Sequence, residues 1–229
     1  MTQTVIGIAT PTLSVPEPHT VAALLLDRGH RRTVATGEVL FHEGAMTRRV
    51  FGCVSGRVRL IVSAAAGREL VLAVCGPGDV FGDVSALDGL GRSATAVAME
   101  PTEIVELSGD DFVDAVRADS ALALAAMRSL AGRLRRANDR ICAGETEPVA
   151  KRVARVLLDL AQRCPSPAGD GSVWVVSINQ TDLAEMLGST REATARVLAD
   201  LRRAGVITTA RSRTVVHDRD ALAFHARRC

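Results

Sequence analysis

The spacing of apolar residues changes twice along the chain. From Thr33 to Leu107 they come in short clusters: Val39-Leu40-Phe41, Val50-Phe51, Val58 to Val62, Leu70 to Val74, Val80-Phe81, Ala94 to Ala98 and Ile104 to Leu107. Gly37, Gly44, Gly56, Gly67, Gly78 and Gly82 stand at or near the ends of these clusters, where turns need them. Many short strands at close spacing predict an antiparallel barrel or roll. A short helix, roughly Val21 to Arg28, precedes it. Residues up to about His19, rich in Thr and Pro, read as a flexible extension.

Helical spacing begins at Asp110, with Ser108 or Asp110 as the cap, and a long helix is expected from Ser120 to Cys142. Within it Leu124, Met127, Ala131, Leu134, Asn138 and Ile141 alternate by three and four, a heptad seam. Such a seam is buried either by a parallel copy of the same helix or by packing within the chain. An Asn at a seam position fixes register and oligomer state in paired helices. A break is expected from Ala143 to Glu147, with Pro148 suited to the first turn of a new helix. Val149 to Arg163 then buries Val153, Val156, Leu157 and Leu160. A Pro/Ser/Gly loop, Cys164 to Gly171, leads to a strand over Val173 to Ile178.

Asn179 to Ala204 reads as two short amphipathic helices around a tight corner at Gly188. Asn179 caps the first. Ser189 or Thr190 caps the second, and Ser189 with Glu192 has capping-box spacing. Burial of Ala193, Val197, Leu198 and Leu201 leaves Arg191, Glu192 and Arg196 outward on the second helix. Arginine pairs bidentately with a guanine edge, and glutamate accepts from a cytosine amino group, so these are side chains suited to reading a major groove. A merely solvated face on a helical hairpin is the alternative. The segments Val206 to Thr208 and Thr214 to Val216 predict a hairpin with Arg211 and Arg213 at its tip, a wing able to meet backbone phosphate. Asp218 or Asp220 caps a last helix ending at Cys229. The fold class expected is α+β: a jelly-roll-like β-roll at residues 20–118, a long dimerisation helix at 119–143, and a winged helix-turn-helix at 144–229.

Charge sharpens this division. The stretch up to Met127 carries 10 basic and 15 acidic residues, and that from Arg128 carries 18 and 11. A basic half holding the helix-turn-helix points to nucleic-acid phosphate. Lys151 is the sole lysine. Cysteines 53, 75, 142, 164 and 229 are odd in number and scattered, which points to a reducing cytoplasm and no disulfide framework. No secretion signal and no membrane span are expected. GxSxG, Walker and HExxH patterns are absent, so no enzyme is expected. His225 with Cys229 has helical spacing and His217 precedes them, too few ligands for a metal site. Cys142, at the end of the long helix, is either a small junction residue or a thiol sensor.

The order of roll, long helix and winged helix-turn-helix resembles the cyclic AMP receptor protein (Crp/Fnr) family of bacterial transcription regulators over roughly Val21 to His217. The most specific match is Phe81-Gly82-Asp83-Val84-Ser85 followed by Arg92-Ser93-Ala94, which looks like the family's phosphate-binding cassette, FGE…RSA. The resemblance implies a cyclic nucleotide such as cAMP, held by Gly82, Asp83, Val84, Arg92 and Ser93, with Leu60, Leu72, Arg133 and Asn138 completing the pocket. Two positions depart from the pattern. Asp83 replaces the family's ribose-binding glutamate, and Ala137-Asn138 replaces its adenine-contacting Thr-Ser pair; alanine offers no side-chain hydrogen bond.

For the DNA module the resemblance implies a homodimer on palindromic duplex DNA with TGTGA-like half-sites. Arg191, Glu192 and Arg196 would read bases, while Gln180, Thr181, Thr190, Arg211 and Arg213 would hold backbone. It also implies RNA polymerase as a partner. Two reading helices on a palindrome require a dimer, which favours the paired long helix. The clustered N-terminal cysteines of the family's iron–sulfur sensors are missing.

Overall fold

A computed structural model describes residues 20–63, 69–163, 166–168, 173–176, 178–210 and 213–227. The expected N-terminal extension, Arg211 and Cys229 lie outside these. Helix α1 (Val21–Arg28), capped by the Thr20 hydroxyl, leads into the roll. Its strands are β1 (His30–Val34), β2 (Val39–Phe41), β3 (Arg49–Ser55), β4 (Val58–Ser63), β5 (Glu69–Cys75), β6 (Val80–Phe81), β7 (Thr95–Ala98) and β8 (Thr102–Ser108), with helix α2 (Asp83–Asp88) between β6 and β7. They form two four-stranded antiparallel sheets, ordered β1-β8-β3-β6 and β2-β7-β4-β5. Alternate side chains of each sheet point inward. Phe51 stacks on Phe41 and Phe81 with ring centroids 5.5 and 5.4 Å away, among Val34, Val58, Ala96 and Ile104.

Strand β1 was not expected from the sequence. Its residues are His-Arg-Arg-Thr-Val and only Val34 is buried, so it has no apolar period to reveal it. It forms through full antiparallel pairing with β8, a tertiary effect that local propensity does not report.

Ser108 caps α3 (Gly109–Ala118), accepting from the Asp111 amide. Helix α4 (Ser120–Thr146) follows, 27 residues long. It corrects the expected break at Ala143: the helix runs through Gly144 to Thr146 and ends before Pro148. Proline disfavours helical geometry in the residue before it, whereas one interior glycine costs only about 1 kcal/mol. Leu124, Met127, Leu134 and Ile141 are 43%, 58%, 63% and 66% exposed, so the seam is not covered by the described residues.

Glu147 and Pro148 form the turn into α5 (Val149–Arg163). The Glu147 carboxylate is held by Arg155 at 2.6 Å and by Lys151 at 3.2 Å. Helix α5 buries Val153, Leu157 and Leu160 against α6 (Gln180–Leu187), α7 (Arg191–Arg203) and α8 (Arg219–Arg227). The wing sheet is ordered β11-β12-β10-β9, from β9 (Ser166–Ala168), β10 (Val173–Val176), β11 (Ile207–Ala210) and β12 (Arg213–Val216). Strand β9 falls where only a loop was expected; it too depends on pairing, with Pro167 opposite Trp174. The apolar core of this module continues onto Ile61, Val71 and Val74 of the roll. An ion pair of 2.5 Å between Arg59 on β4 and the buried Asp182 on α6 closes the same contact.

Candidate functional site

A cleft of about 820 Å³ lies where the roll, α4 and the helix-turn-helix meet. Of the residues expected at a pocket, Leu60, Leu72, Asp83, Val84, Ser93 and Arg133 line it. Gly82, Arg92 and Asn138 do not. Asn138 is exposed along the seam of α4. Ala137 takes the place on the cleft wall, with Arg136 and Arg140 to either side.

Arg92 sits behind the wall, 3% exposed. Its guanidinium lies 4.1 Å from the Phe41 ring centroid, a cation–π contact. Nε donates to Thr47 Oγ1 at 3.0 Å, Nη1 to the Gly82 carbonyl and Ser85 Oγ at 2.8 Å each, and Nη2 to the Arg49 carbonyl at 2.8 Å. Four of its five N–H groups are therefore used. None of these acceptors is charged, and no carboxylate pairs with Arg92 among the described residues. Burial accordingly depresses its pKa, since a desolvated cation without a counter-ion is disfavoured.

The close approach to Arg92 explains Gly82. Its φ is +76°, and a Cβ there would lie 2.8 Å from Arg92 Nη1 and 2.9 Å from the Arg49 carbonyl. Only glycine serves at this position.

At the other wall Asp83, also 3% exposed, is bound by both Nη atoms of Arg133, through Oδ1 at 2.9 Å and through Oδ2. Burial alone would depress the Arg133 guanidinium. The Asp83 carboxylate, joined by the nearby Cys75 and Asp79, outweighs that effect, and the net shift is upward. Arg133 therefore joins α4 to the roll through Asp83.

The helix-turn-helix follows from its caps. Asn179 Oδ1 accepts from the Asp182 amide at 2.8 Å to start α6. Gly188 turns the corner at φ 58°. Thr190, rather than the capping-box candidate Ser189, starts α7, with its hydroxyl accepting from the Ala193 amide at 3.2 Å. Ser189 is tied into the corner, its own amide donating to the Ala184 carbonyl at 3.0 Å. Leu198, Leu201 and the unexpected Thr194 are buried, while Ala193 and Val197 are half-buried.

Arg191, Glu192 and Arg196 all lie exposed on the first turns of α7, with Thr190 and Gln180 exposed nearby and Thr181 half-buried. None of the three α7 side chains forms a hydrogen bond or ion pair among the described residues. At the far end of α7, Arg202 donates to Thr209 on β11 at 2.8 Å, fastening the wing. Arg213 is exposed at the start of β12.

The sequence reading missed the cleft's deeper arginines, Arg136, Arg140 and Arg152, and the Arg59–Asp182 pair. The spacing of Arg133, Arg136 and Arg140 on one helix was available as a signal. Arg59 and Asp182 lie 123 positions apart and gave none. Among the described residues no group of three potential ligands holds a metal, and no helix is long and apolar enough to cross a membrane.

Comparison with known proteins matches residues 31–119 to the cyclic nucleotide-binding domain and residues 151–224 to the Crp-like helix-turn-helix domain. The chain is similar to the cyclic AMP receptor protein of Thermus thermophilus, 34% identical over 184 residues that cover 80% of this chain and 82% of that protein. A CRP-like cAMP-activated global transcriptional regulator of Mycobacterium tuberculosis is 30% identical over 191 residues, 83% of this chain and 85% of that one. Among solved structures, TTHB099, a CRP-family transcriptional regulator of Thermus thermophilus, superposes with a TM-score of 0.68 at 33% identity, covering 85% of this chain and 96% of that chain. The roll, its cassette and the helix-turn-helix thus occur together and in one order, and the chain belongs to the cyclic AMP receptor protein (Crp/Fnr) family of DNA-binding transcription regulators.

Proposed function

We propose that two copies of the chain pair along α4 and lay Arg191, Glu192 and Arg196 of each α7 against base edges of a palindrome with TGTGA-like half-sites. A nucleotide phosphate at Ser93, in front of the buried Arg92, cAMP in the simplest case, sets how the two reading helices are placed. Gln180, Thr181, Thr190 and the wing arginines hold DNA phosphates, and RNA polymerase is the partner at promoters. The observation that carries nucleotide control is Arg92, a buried cation with no carboxylate partner among the described residues. An anion at the neighbouring Ser93 would supply the missing charge. A ligand shifts the regulator only by binding one arrangement of α4 and the Glu147–Pro148 turn better than the other.

A second reading, control without a nucleotide, draws on the Asp83–Arg133 pair. That pair already occupies the carboxylate a ribose would need. Cys142, exposed near the end of α4, is where a thiol-responsive version would act.

Affinity for the palindrome and for a random duplex, measured by fluorescence anisotropy at fixed salt with and without cAMP, tests both readings. Nucleotide control predicts tighter and more selective binding with cAMP. If cAMP changes neither affinity nor selectivity, and calorimetry detects no binding of cAMP or cyclic GMP at millimolar concentration, the second reading stands.

A further inference from the structure

The large cleft runs deeper than its phosphate end requires. Arg133, Arg136 and Arg140 follow one another at three- and four-residue spacing on α4, and all three line it. Like charges so placed weaken a helix, an effect that an anion between them would offset. Asp83 supplies one to Arg133. Arg136 meets no carboxylate among the described residues. From α5, Arg152 lines the same space; its Nη1 donates to the Leu187 carbonyl at 2.6 Å, while its Nε is buried with no hydrogen-bond partner. It too has no carboxylate partner among the described residues. A buried guanidinium N–H without an acceptor is unfavourable.

Arg140 donates to the Leu72 carbonyl on the roll wall. Arg136, Arg140 and Arg152 also line a second cavity of about 220 Å³, where the acidic residues are Asp139 and Asp159 and where Arg155 is committed to Glu147. The main cleft, about 820 Å³, is near the upper end of small-ligand sites. A single cyclic mononucleotide carries one phosphodiester, which the Ser93 end alone accommodates.

We propose that Arg136, Arg140 and Arg152 form a second anion subsite, so that the cleft takes a nucleotide with more than one phosphoryl group. The class comprises dinucleotides and nucleoside polyphosphates. This rests on the reading that the cleft binds a nucleotide at all. The first phosphoryl group lies at Ser93 and the second among three planar guanidinium forks, which suit bidentate contact. Two of those forks come from α4 and one from α5, on either side of Glu147 and Pro148. An anion between them ties the long helix directly to the DNA module.

Calorimetry at one salt concentration tests this on the full chain and on the Arg136→Gln/Arg152→Gln variant, with cAMP, cyclic di-AMP, cyclic di-GMP and ATP as probes. We expect at least one probe with several phosphoryl groups to bind the unmodified chain about tenfold or more tightly than cAMP. The variant should lose that margin and keep its cAMP affinity. Which probe prevails separates ring-closed dinucleotides from polyphosphates. If cAMP binds and no other probe exceeds it, or if the variant weakens all probes equally, the second subsite is rejected and the nucleotide reading survives. If no probe binds, both fail. The single Arg136→Gln variant, at a half-exposed position, repeats the comparison should the double variant not fold.

Discussion

Arg191 shows what a single side chain contributes when no hydrogen bond or ion pair among the described residues holds it. It is exposed, and its charge is felt only at Glu185, so removing it should change stability little. Arg191→Ala is expected to weaken binding to the cognate duplex by about 1–3 kcal/mol and to relax base choice at one position. Anisotropy across single-base-pair variants of the half-site checks this; equal loss on every sequence would make Arg191 a phosphate contact. Its outward placement was legible because the buried positions of α7 recur at helical spacing around it. The opposite held for Arg92. The sequence placed it beside Ser93 as a phosphate ligand, but its inward turn onto Phe41 and the carbonyls of Arg49 and Gly82 depends on strands far away in sequence. The Asp83–Arg133 pair was hidden for the same reason: each residue was assigned to the pocket separately, and neither position revealed the other as its partner.

Helices declared themselves through caps, and strands only where apolar residues clustered. Thr190 starts α7 with a hydroxyl acceptor at 3.2 Å, and Thr190→Ala should cost about 1 kcal/mol of stability, read by urea denaturation. Ser189→Ala should cost less, because its hydroxyl is not the cap. Helix α6 carries a pH-dependent element. Burial, and then the neighbouring Asp182 charge, raise the pKa of Glu185, with Arg59 and Arg191 acting against Glu69 nearby. One of its carboxylate oxygens, Oε2, is buried without a hydrogen-bond partner. A carboxyl whose pKa is raised on folding contributes most below the ordinary glutamate range, and that contribution is lost as pH rises through its folded value. Glu185→Gln should therefore raise the melting temperature at neutral pH, and the gain should shrink as pH falls into the carboxyl range. Calorimetric scans of both proteins across that range decide it; a gain independent of pH would assign the effect to packing. Strand β1 and strand β9 escaped the sequence reading because their order comes from β8 and β10 rather than from their own residues.

At the level of the whole molecule, the seam on α4 leaves four large apolar side chains uncovered by the described residues. Leu134 and Ile141 are 63% and 66% exposed, and a charge at either would face its counterpart across a twofold pair. Leu134→Glu should shift sedimentation from dimer to monomer and abolish the preference for a palindrome over a single half-site. An unchanged dimer would place the interface elsewhere. The heptad spacing was visible in sequence, but the length of α4 was not, because Gly144 suggested a stop that the chain does not make. The joint between roll and DNA module was hidden, since its apolar contact through Ile61, Val71 and Val74 and its Arg59–Asp182 pair both join residues far apart in sequence. Lys151 adds a practical consequence. It is the sole lysine, its ammonium lies 3.2 Å from Glu147 and its side chain is 16% accessible. An amine-directed fluorophore therefore has one side-chain target, at the joint between the long helix and the reading module, so its emission would follow movement there without any engineered cysteine.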